Sequence, residues 1–271
     1  MPAIKELLVR EIRLPLWSLL AVGTGAASGS ISVIPKGAPS APTLTTAQAG
    51  DSSALLTFSA PASDGGDPIT GYTAVCDPGA VSQNGAFPSI TVAALNNGTA
   101  YSCVVIAHNS LGSTPSNAVS VTPRTTPAAP VITSADPLNA KASIVFSSPA
   151  SNGGSAILGY RASCSGGLTA SGPGSPIEVG GMTNGTTYAC TVAAQNAAGF
   201  GAESAIASVT PFGPPGAPTV SSAAPGNAQA TVTFTPPVAD GGRPVSSYTA
   251  SCSAASTPTR TQTGASSPLV V

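Results

Sequence analysis

The residues of this sequence that could carry chemistry are few and scattered: one histidine, five cysteines and ten acidic side chains among 271 residues. A catalytic base needs a nucleophile or a second titratable group within reach, and a closed zinc site needs four cysteine or histidine ligands. His108 stands alone, and no carboxylate pair, nucleophile with a base, or phosphate-binding loop accompanies it. The sequence therefore predicts no catalytic residue, no cofactor and no metal site, and it indicates a protein that is not an enzyme.

Two further sets of polar residues lie in glycine-rich segments. Asp64, Asp67 and Asp240 flank glycine pairs, where aspartate stabilises turns through local hydrogen bonds. A calcium site needs six or more oxygen ligands, and one or two aspartates in each segment do not supply them. The stretches 97–99 and 184–186 both read Asn-Gly-Thr. This sequence matches the acceptor for N-glycosylation, and it is also typical of a turn.

The composition favours a protein built from short strands. Charged residues make up only 7% of the chain, against roughly 25% in ordinary soluble domains, but a hydrophobic content of 42% is enough for a buried core. The 30 glycines and 27 prolines suit many strands joined by turns. The net charge of −1, without a basic stripe, argues against a nucleic-acid partner. No apolar run approaches the roughly 18 residues of a membrane span, so we expect no membrane insertion.

An internal repeat determines which elements position these residues. The same residue types recur at intervals of 88 positions. The members are Pro42, Pro130 and Pro218; Phe58, Phe146 and Phe234; the pairs Gly65-Gly66, Gly153-Gly154 and Gly241-Gly242; Tyr72, Tyr160 and Tyr248; and Cys76, Cys164 and Cys252. In the first two copies Tyr101 and Cys103 also match Tyr188 and Cys190, at an interval of 87. This period fits an independently folding unit better than a solenoid repeat of roughly 20–50 residues.

Within each unit, apolar and polar residues alternate with period two, which is the pattern of half-buried strands. The first unit shows it at 54–58, 72–76, 90–92 and 101–107, and turn sequences at 63–68 and 96–99 separate these runs. No stretch of the repeats has a sustained helical period. The sequence therefore predicts an all-β chain in which each unit is an antiparallel β-sandwich of about seven short strands.

On these residues, roughly positions 21–271 resemble tandem fibronectin type III domains, which have an immunoglobulin-like fold. The motifs are the proline that opens strand A, the phenylalanine that ends strand B, the glycine-rich BC turn, the tyrosine of strand C, the stretch from Leu95 to Tyr101, and the A-x-N-x-x-G stretches 107–112 and 194–199. Strand B of the family usually ends in tryptophan, so phenylalanine there implies a smaller core centre. The family also implies that both Asn-Gly-Thr stretches form the turn before strand F, which favours a turn role over glycosylation. The motifs are specific for the fold, but the fold hosts many functions.

The resemblance implies a pairing for four of the cysteines. Cys76 and Cys164 fall on strand C, Cys103 and Cys190 fall on strand F, and these strands are sheet neighbours in the family. We therefore expect the disulfides Cys76–Cys103 and Cys164–Cys190, with Cys252 unpaired. The alternative is a pair of buried free thiols that act as small hydrophobic side chains. Disulfides would imply an oxidising compartment and an exported protein.

The repeat also predicts domain boundaries. Residues 36–123 and 124–211 are each predicted to be a complete fibronectin type III module, here called modules 1 and 2. Residues 212–271, called module 3, match only as far as the fifth strand, so we expect a truncated module without strands F and G. Residues 21–42 match residues 197–218 at 12 of 22 positions, which predicts that residues 21–35 are the last strand of a truncated preceding module.

Residues 1–20 match nothing in the repeats and stay unassigned. A secretory signal peptide is the alternative interpretation of the N-terminus, because basic residues precede an apolar stretch and small residues follow it. Glu6, Glu11 and Pro15 weigh against a signal peptide, as does the repeat match that runs through the expected cleavage site.

The function that this organisation favours is a non-catalytic structural spacer or adhesive stalk of an exported protein at the cell surface or outside the cell. The low charge and the abundance of small residues resemble bacterial members of the family. The proline-rich stretches 121–130 and 209–218 favour extended, semi-rigid connections between modules. We expect a monomeric array whose partner, a protein or a glycan, the sequence does not name.

Two alternatives remain open. The array could be an accessory linker or binding segment of a secreted polysaccharide-degrading enzyme, or a module that binds a glycan or a protein through its loops. Glycan binding usually needs exposed aromatic side chains. The only tryptophan, Trp17, lies outside the repeats, and aromatic residues make up 4% of the chain, which favours the spacer.

Overall fold

The computed structural model describes residues 33–254 and 257–271. The predictions for residues 1–20 and 21–35 lie outside the described residues, except for the last three positions. The structure is all-β, with antiparallel sheets throughout and a single 3₁₀ turn, Ser165–Gly167, within the described part of the chain. None of the helical structure described is long and apolar enough to cross a bilayer.

Module 1 consists of two antiparallel sheets that pack face to face. Its eight strands are β1 Thr43–Gly50, β2 Ser53–Ser59, β3 Gly71–Asp77, β4 Val81–Gly85, β5 Ser89–Val92, β6 Tyr101–Asn109, β7 Gly112–Pro115 and β8 Val119–Val121. One sheet has the order β1-β2-β5, and the other has the order β4-β3-β6, with β7 and β8 pairing along β6. This is the sandwich that the period-two pattern predicted.

The core of module 1 follows directly from that alternation. The side chains of Ala54, Leu56 and Phe58 are buried from β2, and those of Tyr72, Ala74 and Cys76 are buried from β3. At the centre the rings of Phe58 and Tyr72 lie 4.8 Å apart between centroids and are tilted by 55°. Burial of a side chain of this size contributes about 1.5–3 kcal/mol, so the two rings anchor the sheets to each other.

Module 2 repeats this arrangement strand for strand. Its strands are β9 Val131–Leu138, β10 Lys141–Ser147, β11 Gly159–Cys164, β12 Leu168–Gly172, β13 Ile177–Gly180, β14 Tyr188–Asn196, β15 Gly199–Glu203 and β16 Ala207–Val209. The sheet orders are β13-β10-β9 and β12-β11-β14, with β15 and β16 pairing along β14. The central ring pair is Phe146 and Tyr160, with centroids 4.9 Å apart. The same strand order and ring-pair geometry therefore recur at the 88-residue period.

Module 3 has five strands among the described residues. They are β17 Thr219–Pro225, β18 Ala230–Thr235, β19 Tyr248–Ala254, β20 Thr257–Gly264 and β21 Leu269–Val270. The sheets are β17-β18-β21 and the pair β19-β20. The ring pair recurs as Phe234 and Tyr248, 4.7 Å apart. Among the described residues its buried core has four members, because no described strand lies beside β19 where β6 and β14 lie in the other modules.

The segment between β8 and β9 packs on the two modules that it joins. Pro123 and Pro130 are both almost fully buried. The N–H of Ala128 donates to the carbonyl of Ser151 over 2.9 Å, so this segment runs along module 2 and belongs to it. The predicted connection at 121–130 therefore has no free-standing part after Arg124, and these residues lie within the predicted bounds of module 2, 124–211. Proline content indicates extended backbone, but it does not indicate what that backbone packs against.

Candidate functional site

Four cysteines are brought together in pairs between neighbouring strands. Cys76 of β3 lies opposite Cys103 of β6, with the sulfurs 2.04 Å apart, and Cys164 of β11 lies opposite Cys190 of β14, with the sulfurs 2.08 Å apart. These are the pairs expected from the sequence. All four face the cores. Cys252, in the equivalent place on β19, is a half-exposed free thiol.

His108 has a structural setting that sequence reasoning missed. It lies near the end of β6 and is half-buried, and its Nε2 is 2.9 Å from the hydroxyl of Thr73 on β3. No group of three or more acidic, histidine or cysteine side chains that could hold a metal ion occurs among the described residues.

The turns between the second and third strands, called BC turns (residues 60–70, 148–158 and 236–247), have side-chain caps. Asp64, Asn152 and Asp240 each accept a hydrogen bond from the N–H two residues later, over 2.8–2.9 Å. That bond fixes the first of the two glycines in the left-handed region, with φ between 71° and 78°. Because asparagine performs the same task as aspartate, the acidic residues act here as turn caps.

Asp67 has a separate role in module 1. Its carboxylate accepts a hydrogen bond from the N–H of Ser110 over 3.1 Å, and the Nζ of Lys36 lies 4.0 Å away. Hydrogen bonds from the side chain and the backbone N–H of Ser110 lower the pKa of Asp67 below its usual value, and Lys36 adds a smaller effect in the same direction. The carboxylate therefore ties the BC turn to the turn that follows β6.

One buried asparagine in each complete module fastens the start of that module to its BC turn. Asn196, at the end of β14, donates to the carbonyls of Thr125 and Asn152 over 2.8 and 2.7 Å. Asn109 donates in the same way to Gly37 and Asp64. These are the asparagines of the A-x-N-x-x-G stretches. The repeat marked their positions, but nothing in the residue order indicated the carbonyls that they bind.

The turns before β6 and β14, called EF turns (residues 93–100 and 181–187), contain the two Asn-Gly-Thr stretches. The Nδ2 atom of Asn97 donates to Asp51, and that of Asn184 donates to Asn139, both over 2.8 Å. The Oδ1 atoms accept the N–H groups of Ser52 and Ala140. Both asparagine side chains are thus hydrogen-bonded at the nitrogen to which a glycan would be attached.

At the junction of modules 1 and 2, consecutive backbone residues form hydrogen bonds with different modules. The carbonyl of Pro123 accepts the N–H of Gly98, and the N–H of Arg124 donates to Gly50, both in module 1. The N–H of Thr125 donates to Gly153 in module 2 over 2.8 Å. No unbonded residue therefore separates the two modules.

The junction of modules 2 and 3 repeats this geometry with different side chains. The carbonyl of Pro211 accepts the N–H of Gly185, and the N–H of Gly213 donates to Gly241, both over 2.8 Å. Between them lies Phe212, and the guanidinium carbon of Arg243 sits 3.5 Å from the centroid of its ring. This cation–π contact joins the connecting residue to module 3.

Module 3 also has an apolar groove of about 250 Å³. Its lining includes Val232, Phe234, Tyr248 and Ala250, which are the core positions of the module. The groove is thus the inner face of the two sheets, and Cys252 lies farther along β19, the strand that carries Tyr248 and Ala250.

The model of the fibronectin type III domain matches residues 37–122. Residues 37–122 are a fibronectin type III domain. Modules 2 and 3 repeat its central ring pair and sandwich strands, so the described part of the chain is a tandem array of immunoglobulin-like β-sandwiches. Among solved structures, the FN1–FN3 domains of chicken CNTN1 match at 19% identity over 88% of each chain, with a TM-score of 0.31. No curated protein matches the chain.

Fibronectin type III domains generally serve as structural or adhesive modules. The elements that matter for such a role are the disulfides, the buried asparagines and the two junctions.

Proposed function

We propose that the array is a structural spacer or adhesive stalk of an exported bacterial protein, located at the cell surface or outside the cell. The observation that carries this proposal is the direct bonding of consecutive modules. Pro123 and Arg124 are bonded to module 1, and Thr125 is bonded to module 2. A spacer must keep two parts of a protein apart, and a junction without free residues supports that task because it leaves no loose segment on which the modules could fold back.

Other features support the same role. One buried disulfide in each complete module suits an oxidising compartment. The surface carries few charges, since only 7% of residues are charged, and the described tyrosines and strand-B phenylalanines lie at core positions. Phe87 and Phe200 are the exposed aromatic side chains among the described residues, and they lie in different modules. Two isolated rings offer little surface for stacking against a glycan, and no specific observation favours an enzyme-associated role.

Small-angle X-ray scattering of the full chain tests the spacer. A compact protein of 271 residues would have a radius of gyration of about 18 Å. We expect a value well above this and a pair-distance distribution with a long tail. A radius near the compact value would contradict the proposal. Secretion into an oxidising compartment, followed by titration of accessible thiols, tests the location: one reactive thiol is expected, and five would contradict it.

A further inference from the structure

The BC turn of module 2 lies directly on the EF turn of module 1. A Cβ placed on Gly154 would be 2.4 Å from the nitrogen of Gly98 and 2.6 Å from the carbonyl carbon of Asn97. These atoms are backbone, and real Cβ atoms do not approach backbone so closely. The two turns are thus in contact at a distance that only a residue without a side chain permits.

The same contact occurs at the second junction. A Cβ on Gly242 would be 2.5 Å from the nitrogen of Gly185 and 2.9 Å from the carbonyl carbon of Asn184. The connecting residues differ, since Arg124 and Thr125 in the first junction are replaced by Phe212 and Gly213 in the second. Because the contact is kept while the connecting side chains change, the turns themselves specify it.

The first glycine of each BC turn holds the connecting strand in the same way. A Cβ on Gly153 would be 2.2 Å from the carbonyl oxygen of Thr125, and one on Gly241 would be 2.2 Å from that of Gly213. Both glycines are buried. The connection is therefore pressed against the BC turn at the point where the two modules meet.

Positive φ alone does not account for these glycines. Gly167 has a φ of 77°, close to the 82° of Gly154, yet a Cβ on Gly167 would meet nothing within 4 Å. A substitution at Gly167 would add only the backbone strain of a left-handed residue. A substitution at Gly154 would add the same strain and a collision with the neighbouring module.

We propose that the Asn-Gly sequence of each EF turn and the Gly-Gly sequence of the following BC turn form an interlocking joint that holds consecutive modules in one fixed orientation. The partner of each EF turn is the BC turn of another module of this array. The joint rests on the proposed spacer function for its biological use, because a spacer with fixed joints transmits position and force between its ends.

Nitrogen-15 relaxation of the full chain tests the joint, because it reports how each module tumbles. In the wild type, the amides of modules 1 and 2 should fit one anisotropic rotational diffusion tensor. In Gly154→Ala the methyl group separates the two turns, so each module should require its own tensor and the correlation time of module 1 should fall. Gly167→Ala, with a matched φ, should keep the single tensor.

Folding is monitored in the same spectra, since a folded module keeps its dispersed amide resonances. If Gly154→Ala unfolds module 2, Gly98→Ala is used instead. This substitution adds the methyl group on the side of module 1, where a Cβ would lie 3.1 Å from the Cα of Gly154. Two outcomes would overturn the joint: separate rotational diffusion tensors for modules 1 and 2 in the wild type, or a single tensor in folded Gly154→Ala or Gly98→Ala. Separate tensors with an extended scattering profile would contradict the joint and leave the spacer standing. A single tensor with a compact profile would contradict the spacer alone.

Discussion

The side chain of Asn196 binds the carbonyl of Thr125, which precedes it by 71 residues, over 2.8 Å. The same amide nitrogen donates to Asn152, and Oδ1 accepts the N–H of Ala198 over 2.8 Å. One side chain that is 2% exposed therefore joins Thr125 at the start of module 2, the BC turn of that module and the turn after β14. The proposed joint lies next to this set of hydrogen bonds.

Asn196→Ala should destabilise module 2 by about 2–3 kcal/mol, because the substitution leaves buried carbonyl groups without donors. Urea unfolding, followed through the amide resonances of module 2, measures the change. Asn84→Ala is the control, since Asn84 is exposed and accepts one hydrogen bond from Thr73; a change within about 0.5 kcal/mol is expected there. Equal effects of the two substitutions would contradict the fastening role.

Loss of the second disulfide should destabilise module 2 through the unfolded state. The bond closes a loop of 26 residues, which corresponds to about 3.5 kcal/mol in the chain-entropy model. The double substitution Cys164→Ala and Cys190→Ala should therefore lower the unfolding free energy of module 2, while Cys252→Ser should leave it unchanged. Peptide mass spectrometry without reduction checks the pairs Cys76–Cys103 and Cys164–Cys190. Free thiols at all four positions would refute the pairing.

Neither Asn-Gly-Thr stretch should carry a glycan when the chain is secreted from a glycosylating host cell. The nitrogen of each asparagine is engaged in a hydrogen bond within its module, and the following glycine lies against the next module. Intact mass measurement should give the mass of the unmodified chain. A control variant with a sequon placed in the exposed stretch 82–84 would establish that the host modifies accessible sites. Occupancy at Asn97 or Asn184 in the folded protein would contradict the turn assignment.

The carboxyl group of Asp67 should titrate with a pKa below the ordinary value of an aspartate. Its pKa is lowered mainly by hydrogen bonds from Ser110, so the ionised form stabilises the fold. That contribution is present above the unfolded pKa of about 3.9 and is lost as the pH falls through the lower folded pKa. Titration of side-chain carboxyl carbons by NMR measures it. Ser110→Ala should move the pKa upward, and an unchanged value would show that the serine side chain has no part in the shift.

The strands and the core were predictable because both follow from local pattern. Leu56 and Phe58 lie at alternating positions of β2, and Tyr72 and Ala74 do so on β3. A strand places alternate residues on one face. The cysteine pairs needed the family topology as well, since spacing alone does not say which strands are neighbours. The setting of His108 was not predictable, because Thr73 reaches it only through the pairing of β3 with β6.

The sequence by itself determined that this protein is a repeated all-β array with small cores, since an 88-residue period and a period-two alternation are properties of the residue order. Only the tertiary structure decided what the glycines at 98, 153 and 154 are for. Positive φ is a local requirement that a turn sequence can indicate, whereas the approach of Gly154 to Gly98 joins residues of two different modules. Contacts of that kind depend on how folded units meet, and no pattern within a single unit contains that information.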